Sequence, residues 1–166
     1  MVRPAAALAL LVALASPVAA SEWREIKPGE STMTDVRARF GAPSRETAQK
    51  VEGYDTVQWV YDGARAPAGM LKVTIDFGLK TPARYNKDVV RTFTLEPKHD
   101  VFNRRLVLYG WGPPDRQGKQ GDSEFFLYRE GLLVYFDKTG EQAVTMTFTP
   151  PQPLPEDPRP TPPPQR

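Results

Sequence analysis

Six stretches of this chain alternate apolar and polar side chains with a period of two, and this pattern restricts the fold more than any other feature. Val57, Trp59 and Tyr61 alternate with Gln58, Val60 and Asp62. Leu71, Val73, Ile75 and Phe77 alternate with Lys72, Thr74 and Asp76, and Val89, Arg91, Phe93 and Leu95 with Val90, Thr92, Thr94 and Glu96. Glu124–Tyr128, Leu132–Asp137 and Ala143–Thr149 read the same way. Successive Cβ atoms point to opposite faces of a strand, so a period of two with one apolar side marks a half-buried antiparallel strand. Glycines in Arg129-Glu130-Gly131 and Lys138-Thr139-Gly140 supply the positive φ that tight hairpins between the last three strands require.

The same short motifs occur twice in the same order. Phe40-Gly41-Ala42-Pro43-Ser44 matches Trp111-Gly112-Pro113-Pro114-Asp115 at an offset of 71 residues. Trp59-Val60-Tyr61-Asp62-Gly63 matches Phe126-Leu127-Tyr128-Arg129-Glu130-Gly131. Val73-Thr74-Ile75-Asp76 matches Val134-Tyr135-Phe136-Asp137 at 61, and Thr92-Phe93-Thr94 matches Thr147-Phe148-Thr149 at 55. A steadily shrinking offset is what shorter loops in a second copy produce, and the expectation is two units, each a turn followed by three strands.

One helix is legible before the first of these turns. Thr32-Met33-Thr34-Asp35 fits a capping box, and Met33, Val36 and Phe40 fall on one face. Gly41 is expected to stop the helix in the left-handed αL conformation, with Pro43 preventing its continuation. The matching stretch Phe102–Tyr109 stays open: its place in the second copy argues for helix, while Leu106-Val107-Leu108-Tyr109 has the composition of a strand.

The two ends differ from the body. Arg3, an apolar run from Ala5 to Ala15, and the small residues Val18-Ala19-Ala20 before Ser21 have the order of a cleavable signal peptide, so residues 1–20 are expected to be removed on export. Eleven apolar residues are too few to span a bilayer, which needs about 20. Nine of the seventeen residues in 150–166 are proline, which lacks the amide donor and holds φ fixed, so a disordered, PPII-like tail is expected there. There is no cysteine, hence no disulfide and no thiol for a lipid anchor. The net charge is +2, and it falls to +1 without the leader, whose one charged side chain is Arg3. Neither value provides the basic footprint that nucleic-acid binding needs.

A survey for chemistry leaves little. The single histidine, His99, lies in the polar stretch Lys98-His99-Asp100, which supplies neither a base beside a nucleophile nor a zinc ligand set. Asp76 and Asp137 match between the copies, but acidic residues at strand ends before turns are ordinarily solvated. Gly110 and Gly112 are followed by Pro113-Pro114, which removes the amides a phosphate nest would use. No catalytic, cofactor or metal residue is assigned. The aromatic content is the remaining signal. Phe125 and Phe126 are adjacent on one strand, as are Tyr135 and Phe136, so each pair faces both ways across a sheet. Either both faces are covered, or an aromatic surface is exposed to a partner. Tyr109, Trp111, Phe126 and Tyr128 are the candidate partner-binding residues.

Ile26-Lys27-Pro28-Gly29-Glu30-Ser31-Thr32-Met33-Thr34-Asp35-Val36-Arg37-Ala38-Arg39-Phe40-Gly41-Ala42-Pro43 resembles the opening motif of the SmpA/OmlA (BamE-like) family, and Leu133–Gly140 resembles that family's later strand and turn. The resemblance implies an α+β fold: helices packed on antiparallel three-stranded sheets, here as two BamE-like repeats with a disordered Pro-rich tail. It divides the chain into a signal peptide (1–20), a first unit (21–97), a second, shorter unit (98–149) and the tail (150–166). It also implies a protein that binds and does not catalyse, located in the bacterial periplasm or at the outer membrane. Its partners would be proteins of the cell envelope, with outer-membrane protein assembly as the setting. A tandem pair of such units also resembles the β-lactamase inhibitor protein fold, which makes an inhibitor or binder of a secreted enzyme the alternative. Lipoprotein members of the SmpA/OmlA family carry a lipidated cysteine that this chain lacks. An enzyme remains a minority reading, and the oligomeric state stays open.

Overall fold

The computed structural model describes residues 21–151. The expected leader, residues 1–20, and all of the expected Pro-rich tail except Pro150 and Pro151 lie outside the described residues. The described residues begin with α1 (Met33–Phe40), β1 (Arg45–Val51), β2 (Tyr54–Asp62), β3 (Met70–Lys80) and β4 (Tyr85–Pro97). They continue with α2 (Arg104–Trp111), β5 (Arg116–Gln120), β6 (Ser123–Tyr128), β7 (Leu132–Phe136) and β8 (Ala143–Phe148).

All eight strands join one antiparallel sheet in the order β1-β2-β3-β4-β8-β7-β6-β5. This overturns the expected fold class. There are not two three-stranded BamE-like repeats with helices packed on each, but one continuous sheet carrying two eight-residue helices. The six alternating stretches are the inner strands. The two that alternation did not reveal, β1 and β5, are the edges, and their mostly exposed side chains (RETAQKV and RQGKQ) have no buried face to impose a period. Charged side chains on such edges discourage pairing with another chain.

The sheet is continuous because β4 and β8 pair across the middle, Phe93 with Phe148, Thr94 with Thr147 and Leu95 with Met146. The register assigns one set of side chains to each face. Trp59, Tyr61, Val73, Ile75, Phe77, Phe93 and Leu95 are buried on one face with Phe126, Tyr128, Leu132, Val134, Phe136, Met146 and Phe148. Val36 of α1 and Val107 of α2 join this core and have no exposed surface. Burying such a valine contributes roughly 1.5–3 kcal/mol, which gives each short helix an anchor that its length alone would not. The other face carries Thr74, Thr94, Thr147, Leu133, Leu127, Phe125 and Tyr135, all half-buried.

Both helices stop in the same way. Thr32 and Asp35 make the capping box expected of α1, and Asn103 caps α2 through Leu106 N–H at 2.9 Å. Gly41 and Gly112 follow with φ/ψ of 76/−157° and 76/−167°. That is not the αL stop anticipated for Gly41, since ψ is extended. It is the region at positive φ that only glycine enters without strain. Each glycine's carbonyl then accepts from a tyrosine hydroxyl on the sheet, Tyr61 to Gly41 and Tyr128 to Gly112, both at 3.1 Å. Burial pushes both phenols up to about 12.

Candidate functional site

The structure separates the four aromatic residues chosen from the sequence. Phe126 and Tyr128 are 2% and 3% exposed, so they cannot line a partner surface. They are core residues, with Phe126 edge-on to Phe136 at 4.8 Å and Tyr128 held by Gly112. Trp111 is half-buried and packs its edge on Phe102 and Phe148, at 6.0 and 6.1 Å. Tyr109 alone is open, at 90% exposure.

Tyr109 has company that the sequence did not single out. Helix α2 spans Arg104-Arg105-Leu106-Val107-Leu108-Tyr109-Gly110-Trp111. Val107 and Trp111, one turn apart, point to the core, and this phase leaves Leu106, Leu108 and Tyr109 outside. Among the described residues five large hydrophobic side chains are exposed, and three of them are on this one helix; the others are Leu71 and Val144. The outer side of a surface helix is normally polar. Helix α1 follows that rule, since its inward residues Val36 and Phe40 leave Asp35, Arg37 and Ala38 at the positions matching Leu106, Leu108 and Tyr109. An apolar group beside the exposed Arg105 is the composition of an interaction surface rather than of a solvated helix. Leu106 and Leu108 were hidden in the sequence because the segment was open between helix and strand. The partition of inner from outer residues depends on which period applies.

Each adjacent aromatic pair faces both ways across the sheet. Phe126 and Phe136 face the helices, and Phe125 and Tyr135 pair on the open face with ring centroids 6.1 Å apart. Leu127 and Leu133 extend this half-buried group toward Thr147 and Thr94, whose hydroxyls lie 3.3 Å apart across the seam.

The carboxylates are engaged locally. Asp76 sits within β3, not at a strand end, and accepts from Gln58 Nε2 at 2.9 Å and Thr92 Oγ1 at 3.1 Å. Asp137 closes its own turn, accepting from Thr139 Oγ1 and the Glu141 amide; the Thr139 hydroxyl, first among these bonds, holds its carboxyl below the usual range. His99 is exposed in the connection after β4, with Nδ1 2.9 Å from Asp100. No group of three or more His, Cys, Asp or Glu side chains suited to a metal ion occurs among the described residues. None of their helices is long and apolar enough to cross a membrane.

No family model and no curated protein matches the chain, so the SmpA/OmlA resemblance stands on its own residues, Ile26–Pro43 and Leu133–Gly140. Among solved structures, the chain is similar to a DUF4309 family protein (YjgB) from Bacillus subtilis, at 14% identity and a TM-score of 0.48, over 76% of this chain and 83% of that one.

Proposed function

We propose that this is an exported, non-catalytic binding protein of the bacterial cell envelope that engages a protein partner through the outer face of α2. The observation that carries the reading is the exposure of Leu106, Leu108 and Tyr109 on a helix whose counterpart α1 carries Asp35, Arg37 and the small Ala38 at the matching positions. The apolar surface of such a patch leaves water only when something covers it. The signal-peptide order of residues 1–20 and the family resemblance supply the setting, the periplasm or the periphery of the outer membrane. Outer-membrane protein assembly is the role that the resemblance favours.

A photo-crosslinking side chain at position 109, with a second at position 38 of α1 as control, tests this in intact cells. The expected result is a discrete adduct from position 109 that is absent from position 38 and disappears on Leu106→Asp. Components of the barrel-assembly machinery in the adduct support the assembly role, while a soluble hydrolase supports the inhibitor alternative. No adduct from position 109, or equal labelling from both helices, overturns the reading.

A further inference from the structure

A second, independent feature lies on the open face of the sheet, at the corner formed by β2, β3 and β4. The register there breaks: Asp76 faces Thr92, but the next β3 residue, Phe77, faces Val90, which leaves Arg91 as the extra residue of a bulge. Bulges re-aim side chains, and this one directs Arg91 into the wall of a pocket of about 210 Å³. Gly78 lines the pocket because nothing larger fits: a Cβ there would run into the Tyr85 hydroxyl and come within 2.9 Å of Thr56 Cγ2. Tyr85 stacks on Tyr54 at 4.6 Å, and Lys80 places its ammonium 5.1 Å from the centre of the Tyr54 ring.

The polar groups of this pocket are underused. Among the described residues, three buried side-chain polar atoms have no hydrogen-bond partner, and two of them, Thr56 Oγ1 and Arg91 Nε, belong to residues lining it. Thr56 is 4% exposed. The acid paired with Arg91 is Asp76, whose carboxylate stands 3.9 Å from a terminal nitrogen and already accepts from Gln58 and Thr92. A guanidinium has five donors and no acceptor, so a half-buried one leaves donors that need oxygen atoms. The lining carries Arg91, Lys80 and the exposed Glu52, with Asp76 beside Arg91 and Asp55 and Asp88 acting on Tyr85 from outside it, while Val51, Leu79 and the tyrosines offer apolar wall.

From this arrangement we infer that the pocket binds a small organic carboxylate, its oxygens toward Arg91 and its apolar or aromatic body against Tyr54 and Tyr85. Guanidinium–carboxylate pairing supplies the geometric specificity, and the volume limits the body to about one ring. The site is separate from the α2 face and does not rest on the partner reading. Its ligand is either a free acid or the carboxylate end of a peptide chain, which present the same chemistry.

Benzoate titrated into the isotope-labelled full chain, with benzamide as the neutral isostere, tests it by NMR. Saturable shifts at the Gly78 amide and the Arg91 Nε–H are expected with benzoate, with at least tenfold weaker binding of benzamide. Arg91→Gln should weaken benzoate at least tenfold while leaving the dispersion of the remaining amides intact, and Arg91→Lys should recover part of the loss. N-acetyl-phenylalanine identifies the source: tighter binding than benzoate points to a peptide terminus, weaker binding to a free acid. Absence of saturable shifts, equal response to benzamide, or indifference to Arg91→Gln overturns the proposal.

Discussion

Phe93 of β4 and Phe148 of β8 are register partners across the middle of the sheet, and their rings stack with centroids 4.4 Å apart and planes 11° from parallel. Both are buried, and Trp111 from α2 packs its edge on Phe148. This pair joins the αββββ half of α1–β4 to that of α2–β8. Truncation of either ring should cost about 3–5 kcal/mol. A double-mutant cycle of Phe93→Ala and Phe148→Ala should show a coupling of roughly 0.5–1.5 kcal/mol. Urea unfolding followed by tryptophan fluorescence and by circular dichroism measures both, and the two signals should change together, since the halves share one core.

The matching helix stops make a paired prediction. At Gly41 and Gly112 a Cβ would meet nothing within 4 Å, so substitution by alanine tests the backbone alone. Residues other than glycine in this conformation carry strain of order 1–3 kcal/mol. Gly41→Ala and Gly112→Ala should therefore lower stability by similar amounts. A neutral result at either position would show that the chain stops that helix in some other way.

Alkaline pH should unfold the protein through Tyr61 and Tyr128. Desolvation is the main cause that raises both phenols to about 12, against about 10 in an unfolded chain. The folded state thus holds protons that the unfolded state releases. Their contribution is fully present below about pH 10 and is lost as the pH rises toward 12. Denaturation midpoints between pH 9 and 12, about the range spanned by these values, should fall steeply. The double variant Tyr61→Phe, Tyr128→Phe should start lower, having lost two hydrogen bonds, but decline less.

The four aromatic residues picked from the sequence should divide by burial. Tyr109→Ser should change stability by less than about 0.5 kcal/mol, as surface substitutions do. Phe126→Ala should cost about 3–5 kcal/mol because it opens a cavity between Phe136 and the Arg104 guanidinium, which lies 4.6 Å from the Phe126 ring centre. Thermal denaturation of the two variants decides the point. A large loss at Tyr109 would mean that its ring is packed against the body.

By itself, the sequence determined what depends on neighbours along the chain. Thr32 and Asp35 cap α1 through bonds spanning three residues, and the glycines at 41, 131 and 140 mark places where the backbone must enter positive φ. Alternation marked the six inner strands, because each has one face in the core and one outside. It was silent on β1 and β5, since an edge strand with both faces wet has no period to show. Tertiary structure decided the rest. The register of β4 on β8 is a contact across more than 50 residues, and it turned two expected three-stranded units into one eight-stranded sheet. Packing of Val107 against that sheet settled Arg104–Trp111 as a helix, and with the helical period came the partition that buries Trp111 in part and leaves Leu106, Leu108 and Tyr109 outside. The pocket around Arg91 was the least legible of all. It gathers residues from four strands around a bulge, and a bulge is a mismatch between two strands that neither strand's sequence displays alone.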